Sequence, residues 1–127
     1  MNVRAMNSEN APAPAGGYAQ AVEITNSKRL VFVSGQIPVD VDGQAPTGFG
    51  DQCRLAWTNV AAQLSAAGMT FENLVKVTVF LSSGAYALEN RAIRAEVLGS
   101  HTPAMTVIIT GIFDESWLLE IEAVAAD

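Results

Sequence analysis

Hydrophobic residues recur with two different periods along this chain, and the change of period divides it into strands and helices. Short runs rich in β-branched and aromatic residues predict strands over 21–25, 30–36 and 75–81. The first two runs are separated only by the polar turn at 26–28, so we expect them to form an opening hairpin.

Two longer stretches carry apolar residues at every third or fourth position, which is the helical period. The first begins near Gly50 and ends before Gly68, a residue type that commonly follows a helix C-terminus. Its apolar stripe consists of Cys53, Ala56, Trp57, Val60, Leu64 and Ala67. The second predicted helix covers 86–98, and the proline- and glycine-containing stretch 37–48 is expected to be a loop.

The closing segment, 102–125, predicts two strands joined by a loop, and we expect these two strands to pair as a closing hairpin. In its last strand Glu120 and Glu122 occupy one face, while Leu119 and Ile121 occupy the other, because side chains alternate along a strand. Two acids in an otherwise apolar run mark this strand as a place to look for function. We expect Glu122 to be structural.

The order of strands and helices predicts an α+β domain, with one mixed sheet and two helices packed on one face. We expect the uncovered face to carry five apolar side chains, those of Phe32, Phe80, Met105, Val107 and Ile109. A face of this composition is unfavourable in open solvent. We therefore expect the chain to form a homo-oligomer.

Composition limits the classes of partner. The 127 residues predict a single domain over 1–127, with the segment 1–15 expected to be flexible. The net charge is -6 and the seven basic residues are scattered, so neither nucleic acid nor a membrane surface is an expected partner. One cysteine and the lack of a long apolar run favour a cytoplasmic protein.

No cofactor or metal motif stands out in the chain. His101 has no second ligand candidate near it, and the glycines fit no phosphate-binding fingerprint. Cys53 lies on the apolar stripe of the first helix and is expected to belong to the core. We therefore expect no metal and no cofactor.

Several separated motifs together resemble the RidA/YjgF family. In order, they are GGYAQAV, LVFVSGQIPVD, QCRLAWTNVAAQLSAAGMTFENLVKVTVFL, EN, PAM and LEIEAVA, and the resemblance runs from about Asn10 to Ala125. It implies a chorismate-mutase-like fold with a single mixed sheet. It also implies a homotrimer whose sheets line a central barrel, with three clefts between subunits that bind small molecules.

The deaminase branch of that family hydrolyses reactive enamines and imines, such as 2-aminoacrylate, to a keto acid and ammonia. Carried over motif by motif, the resemblance implies that substrate is bound by Tyr18, Ser34, Asn90, Met105 and Val107. It implies that Glu120 is catalytic, since a carboxylate can hold or activate the attacking water.

The chain departs from the family pattern at position 105. The deaminases carry arginine after Pro-Ala, where a guanidinium binds the substrate carboxylate, whereas Met105 offers an uncharged thioether. Val107 stands where cysteine is frequent, and GGY replaces GPY. We therefore expect a ligand more apolar than an amino-acid-derived enamine, with the standard activity on 2-aminoacrylate in doubt. Arg91 is the one cation next to this set and a candidate replacement.

Each proposed site residue also has a structural interpretation. Glu120 could be satisfied by backbone donors at a subunit contact, and Tyr18 could be a capping aromatic. Ser34 could bond to local backbone, and Asn90 could cap a helix. The leading hypothesis is a cleft that hydrolyses an imine- or enamine-like metabolite, and the alternative is a non-catalytic ligand-binding or regulatory trimer. Ribonuclease activity fits poorly with the acidic balance of the chain.

Overall fold

The computed structural model describes residues 1–127 and contains six strands and two α-helices. In chain order they are β1 (Asn2–Met6), β2 (Ala21–Thr25), β3 (Leu30–Gln36), α1 (Phe49–Ala66), β4 (Leu74–Leu81), α2 (Ala87–Leu98), β5 (Ala104–Ile109) and β6 (Leu119–Ala126). Single turns of 3₁₀ helix precede β4 and α2. The bounds of the two helices and of β2, β3 and β4 confirm the sequence predictions to within one or two residues. Neither helix is both long and apolar enough to cross a bilayer.

The main sheet has four strands in the order β3-β6-β4-β5. Strands β4 and β5 are parallel, and the other neighbours are antiparallel. The parallel pair is connected through α2, which provides the crossover that parallel strands require. Both helices contribute to the core on one face of this mixed sheet, so the predicted α+β architecture is confirmed.

Two predicted strand pairings are wrong. Strand β2 does not form a hairpin with β3; it pairs with β1, with Asn2 opposite Thr25, in a separate two-stranded sheet. Strands β5 and β6 are not neighbours either, because β4 lies between them. The pairing of β1 also orders part of the segment 1–15 that was expected to be flexible. Local turn signals could not reveal these pairings, since each joins segments that are far apart in sequence.

The hydrophobic core lies between the helices and one face of the four-stranded sheet. Helix α1 contributes Cys53, Ala56, Trp57, Val60 and Leu64, β4 contributes Val77, Val79 and Leu81, and β6 contributes Leu119, Ile121 and Ala123. These are the residues of the predicted helical stripe and of the predicted inner face of β6. Burial of such a continuous apolar set is the main stabilising contribution to a domain of this size.

The residues of β5 face opposite sides from those expected. In the parallel pairing, Met105 lies opposite Val77 and Val107 lies opposite Val79. Paired residues of neighbouring strands point to the same side of a sheet, so Met105 and Val107 belong to the helix side. Ile109 lies opposite Leu81 and is on the helix side as well, so the prediction that these three residues share the uncovered face with Phe32 is wrong.

The uncovered face of the sheet remains partly apolar. It carries Phe32, which is 74% exposed, together with Phe80 of β4 and Ile108 of β5. Glu120 and Glu122 lie on the same face, since each alternates with a buried neighbour along β6. The acids predicted to share one face of β6 do so.

Candidate functional site

A cavity of about 280 Å³ opens between α2, β5 and the turn that precedes β2. Its lining consists of Tyr18, Gln20, Arg91, Arg94, Met105 and Val107. Three residues that the sequence placed in a substrate-binding site, Tyr18, Met105 and Val107, therefore lie together here. We call this cavity the arginine pocket, because two of its lining side chains are guanidinium groups.

Backbone contacts to β5 fix the position of Tyr18 in the arginine pocket. The N–H of Ala19 donates to the carbonyl of Pro103 at 3.1 Å, and Ala19 forms an isolated bridge with Ala104. The hydroxyl of Tyr18 accepts a hydrogen bond from the N–H of Ala15 at 3.1 Å. Tyr18 is thus held at two points: its hydroxyl bonds to the turn, and the backbone next to it bonds to the start of β5.

Arg94 reaches the pocket from the buried side of α2. Its Nη1 lies 3.2 Å from Sδ of Met105, and its Nη2 donates to the carbonyl of Gly16 at 3.3 Å. The residue is only 5% exposed. No carboxylate pairs with it, since the three ion pairs of the chain all involve other arginines.

The environment of Arg94 disfavours its positive charge. Burial lowers the pKa of the guanidinium, and the neighbouring charge of Arg91 lowers it further. A guanidinium nevertheless remains protonated in proteins, so the group is a charged donor that lacks an anionic partner. Burial of an unpaired charge is costly, and a bound anion would offset that cost.

The sequence reasoning missed Arg94 and expected an apolar pocket around Met105; that expectation is wrong. The missed signal was available in the pattern of α2, whose buried residues are Asn90, Ile93, Arg94 and Leu98. An arginine that falls on the apolar stripe of an amphipathic helix is unusual unless it has a specific contact. Arg91, the replacement considered from the sequence, does line the same pocket, but it is exposed.

Gly17 has a backbone conformation that favours glycine, and it lies against the guanidinium of Arg94. Its φ of +79° is unavailable to proline, and a Cβ at this position would lie 3.1 Å from Nη2 of Arg94. The glycine of GGY that stands where the family has the proline of GPY therefore lies directly against this guanidinium.

Glu120 and Ser34 lie on the other face of the sheet from the arginine pocket. The carboxylate of Glu120 packs directly over Gly35, where a Cβ would lie only 1.9 Å from Oε1. The pairing of β3 with β6 shifts by one residue between Val33 and Gln36, which is a bulge that contains Ser34 and Gly35. Glu120 therefore rests on a bulge that accommodates it only because residue 35 has no side chain.

The open-face cavity next to this bulge measures about 320 Å³ and includes Ser34, Thr78 and Glu122 in its lining. Strand β4 lies between β6, which carries Glu120, and β5, which carries Met105. The chain thus brings Tyr18, Met105 and Val107 together on one side of the sheet, and Ser34 and Glu120 on the other. It does not bring the two groups into one cavity.

Asn90 is brought to neither group. It is 2% exposed, and its Oδ1 lies 4.0 Å from the Cys53 thiol in the contact between α2 and α1. The structure places Asn90 in the interior, where it accepts from a core thiol. Burial also raises the pKa of that thiol to about 12, so Cys53 is a protonated core residue, as the sequence predicted.

Titratable side chains form no group of three or more that could hold a metal ion. His101 instead contacts the carbonyl of Leu74 through Nε2 at 2.7 Å. This contact joins the segment before β5 to the start of β4, and so it helps to position the strand that carries Met105.

Comparison with known proteins places this chain among small proteins of one kind. The sequence model of the family described as endoribonuclease L-PSP matches residues 8–127. A RutC family protein of Pyrococcus horikoshii is 36% identical over 119 residues, covering 92% of each chain. The 2-iminobutanoate/2-iminopropanoate deaminase of Escherichia coli K12 is 34% identical over 121 residues, again covering 92% of each chain.

Solved structures agree with this similarity over the whole chain. A conserved Rid protein, YyfB of Yersinia pestis, superposes with a TM-score of 0.86 at 25% identity and covers 100% of both chains. RidA of an Antarctic Psychrobacter species superposes with a TM-score of 0.74 at 26% identity, over 98% of this chain and 99% of that one. Together with the two helices on a mixed sheet, these neighbours confirm the predicted chorismate-mutase-like α+β fold.

Proposed function

The chain belongs to the RidA/YjgF family, and from this premise we propose that it binds a small carboxylate-bearing metabolite and hydrolyses an imine- or enamine-type C–N bond. The observation that carries the proposal is the Arg94 guanidinium, held 3.2 Å from the Met105 thioether inside the arginine pocket. Similarity to an imine deaminase supplies the reaction class, and the guanidinium supplies the group that such a substrate needs.

Arg94 can take the role that the sequence appeared to lack. A guanidinium presents its N–H donors in a planar fork that matches a carboxylate, and a charge-assisted bond of this kind is stronger than a neutral one. Tyr18 and Gln20 add neutral hydrogen-bonding groups to the same lining, while Met105 and Val107 provide apolar walls. These features favour a short carbon chain that carries an anionic group.

We propose further that the chain is a homotrimer and that its complete site lies between subunits. The Glu120 side of one protomer would then face the arginine pocket of the next. The division of the site residues between two faces supports this arrangement, because the two groups can meet only across an interface. The exposed Phe32 and Ile108 on the uncovered face, at 74% and 40% exposure, supply apolar surface for such a contact.

In the proposed reaction, an enamine first tautomerises to its imine. Glu120 accepts a proton from a water molecule as the water oxygen attacks the carbon of the protonated imine, and a neutral carbinolamine forms. Glu120 then returns this proton to the nitrogen, the C–N bond breaks and ammonia leaves, while the hydroxyl proton passes to solvent and a keto acid remains. Arg94 binds the carboxylate throughout and so holds the reacting carbon in place.

The test is the rate of keto-acid release from 2-iminopropanoate generated in situ, measured above spontaneous hydrolysis. The wild-type protein is expected to accelerate release, and Arg94→Gln and Glu120→Gln are each expected to lose that acceleration. Arg4→Gln is the matched control, since Arg4 is exposed and pairs with Glu23 on the small sheet. Folding of every variant is checked by circular dichroism. A wild-type protein without acceleration contradicts the proposal.

The second candidate is a non-catalytic ligand-binding or regulatory trimer, with the same arginine pocket. It is favoured by the position of Glu120, which lies on the opposite face of its own sheet from that pocket. It predicts an increase in melting temperature with 2-oxobutanoate but no acceleration of imine hydrolysis. A cytoplasmic location is proposed for either function, since small amino-acid-derived metabolites are found there.

A further inference from the structure

We infer that the arginine pocket takes a ligand with two negatively charged groups, one bound by Arg94 and the second by Arg91. The inference rests on the proposed function in one respect, because the ligand is the same small metabolite. It goes beyond that function by naming the class, a short carbon chain with a carboxylate at one end and a second anionic group at the other.

The first support is the charge balance of the pocket. Arg4, Arg29 and Arg54 form the ion pairs of the chain, which leaves four of its seven basic residues without a carboxylate partner. Two of those four, Arg91 and Arg94, line the same small cavity, and no acid of the same protomer lines it. In a chain of net charge -6, such local concentration of unpaired cations indicates a site for anions.

The second support is the spacing of the two guanidinium groups. Arg91 and Arg94 are separated by three positions on α2, so they lie on one helix face with Cβ atoms about 5–6 Å apart. They differ in exposure, since Arg94 is buried and Arg91 is exposed. One ligand can therefore place a carboxylate against Arg94 at the back of the cavity and a second anionic group against Arg91 at its mouth.

Mutual repulsion between the two cations is the third support. The charge of Arg91 contributes to the lowered pKa of Arg94, which means that the two positive charges repel each other across the pocket. A monoanion removes only part of this repulsion, whereas a dianion neutralises both groups.

Calorimetric titration of the full-length wild-type protein with succinate and butanoate tests the inference. Both acids have four carbons, but succinate carries two charges and butanoate carries one. Succinate is expected to bind at least roughly tenfold more tightly, the effect of one additional charge-assisted contact. 3-Phosphonopropanoate, titrated in parallel, distinguishes a phosphate-type second group from a carboxylate, according to which dianion binds more tightly.

Two variants assign the second contact. Arg91→Gln is expected to remove the preference for succinate, so that succinate and butanoate then bind with affinities within about twofold of each other, because the second anionic group has lost its partner at the mouth of the cavity. Arg94→Gln is expected to weaken both acids. Arg4→Gln again serves as the control for the loss of one positive charge.

Equal affinity of the wild-type protein for succinate and butanoate would overturn the inference, as would a preference that persists in Arg91→Gln. These outcomes are separate from those of the hydrolysis assay. Preference for dianions without turnover leaves the inference standing and contradicts the proposed reaction. Turnover of 2-iminopropanoate without preference for dianions does the reverse.

Discussion

The Nη1 atom of Arg94 lies 3.2 Å from Sδ of Met105, so a guanidinium from helix α2 contacts the residue that follows Pro103-Ala104. This is the strand position at which the resemblance to the deaminases led us to expect an arginine. In this chain the guanidinium next to position 105 comes from helix α2 instead of from β5. Several consequences of that exchange can be measured.

Exchange of the two side chains is the direct test of this relationship. Met105→Arg alone would place a third cation next to Arg94 and Arg91, and we expect it to lower the free energy of unfolding by roughly 2–4 kcal/mol. The double variant Met105→Arg/Arg94→Met restores the number of charges and is expected to recover most of that loss. Urea titration of the three proteins provides the measurement. If the single variant is as stable as wild type, the pocket does not confine Arg94 as described.

The turn before β2 gives a second prediction, with a matched control in the same chain. Gly17 and Gly43 have φ values of +79° and +80°, but only a Cβ at position 17 meets another group, Nη2 of Arg94 at 3.1 Å. Alanine at either site is expected to lower stability by about 1–2 kcal/mol through backbone strain. Only Gly17→Ala is expected to weaken butanoate binding as well. Equal binding by the two variants would argue against contact between this turn and the guanidinium.

The bulge in β3 gives a third prediction. A Cβ on residue 35 would lie 1.9 Å from Oε1 of Glu120, so Gly35→Ala must move the carboxylate. If Glu120 activates water, displacement by about 1 Å is expected to lower the hydrolysis rate about 100-fold. Gly111→Ala is the control, because a Cβ there meets nothing within 4 Å and its φ is not positive. A Gly35→Ala protein with wild-type turnover would remove Glu120 from the mechanism.

Local patterns in the sequence predicted the core and the strands and helices other than β1, but not the relations between distant segments. The apolar stripe from Cys53 to Leu64 and the alternation along β6 are local periods, so both could be predicted and both were confirmed. The pairing of β1 with β2 and the insertion of β4 between β5 and β6 depend on long-range hydrogen bonding, which leaves no local period. The wrong face assigned to Met105 followed from that missing register.

The site was predicted in part for a similar reason. Tyr18, Met105 and Val107 could be placed together by resemblance, and the structure brings them together. Arg94 could not be placed in that way, because resemblance carries over only positions that match a motif. The sequence shows Arg94 only as a cation on the buried face of α2. Such a pattern does not reveal which side chain the guanidinium contacts until the neighbouring segment is known.

Cys53 gives a prediction about pH. Burial raises the pKa of its thiol to about 12, whereas a thiol in the unfolded chain titrates near pH 8.5. Above about pH 8.5 the unfolded chain has lost a proton that the folded chain keeps, so this group lowers the free energy of unfolding as pH rises. The decline between pH 8 and pH 10 is expected to be smaller in Cys53→Ala. Iodoacetamide is expected to modify the native thiol at least about 100-fold more slowly than the unfolded one at pH 8.5. Rapid native modification would contradict this burial.

The position of β6 has a consequence for biosynthesis. Strand β6, Leu119–Ala126, lies between β3 and β4, so the four-stranded sheet cannot close until its last segment in sequence has left the ribosome. Until then β3 and β4 expose unpaired strand edges and the apolar side chains that form the core of the folded protein. Such surfaces bind chaperones or cause aggregation. Ribosome-bound chains that stop before residue 119 should therefore be protease-sensitive, and full protection should arrive in a single late step.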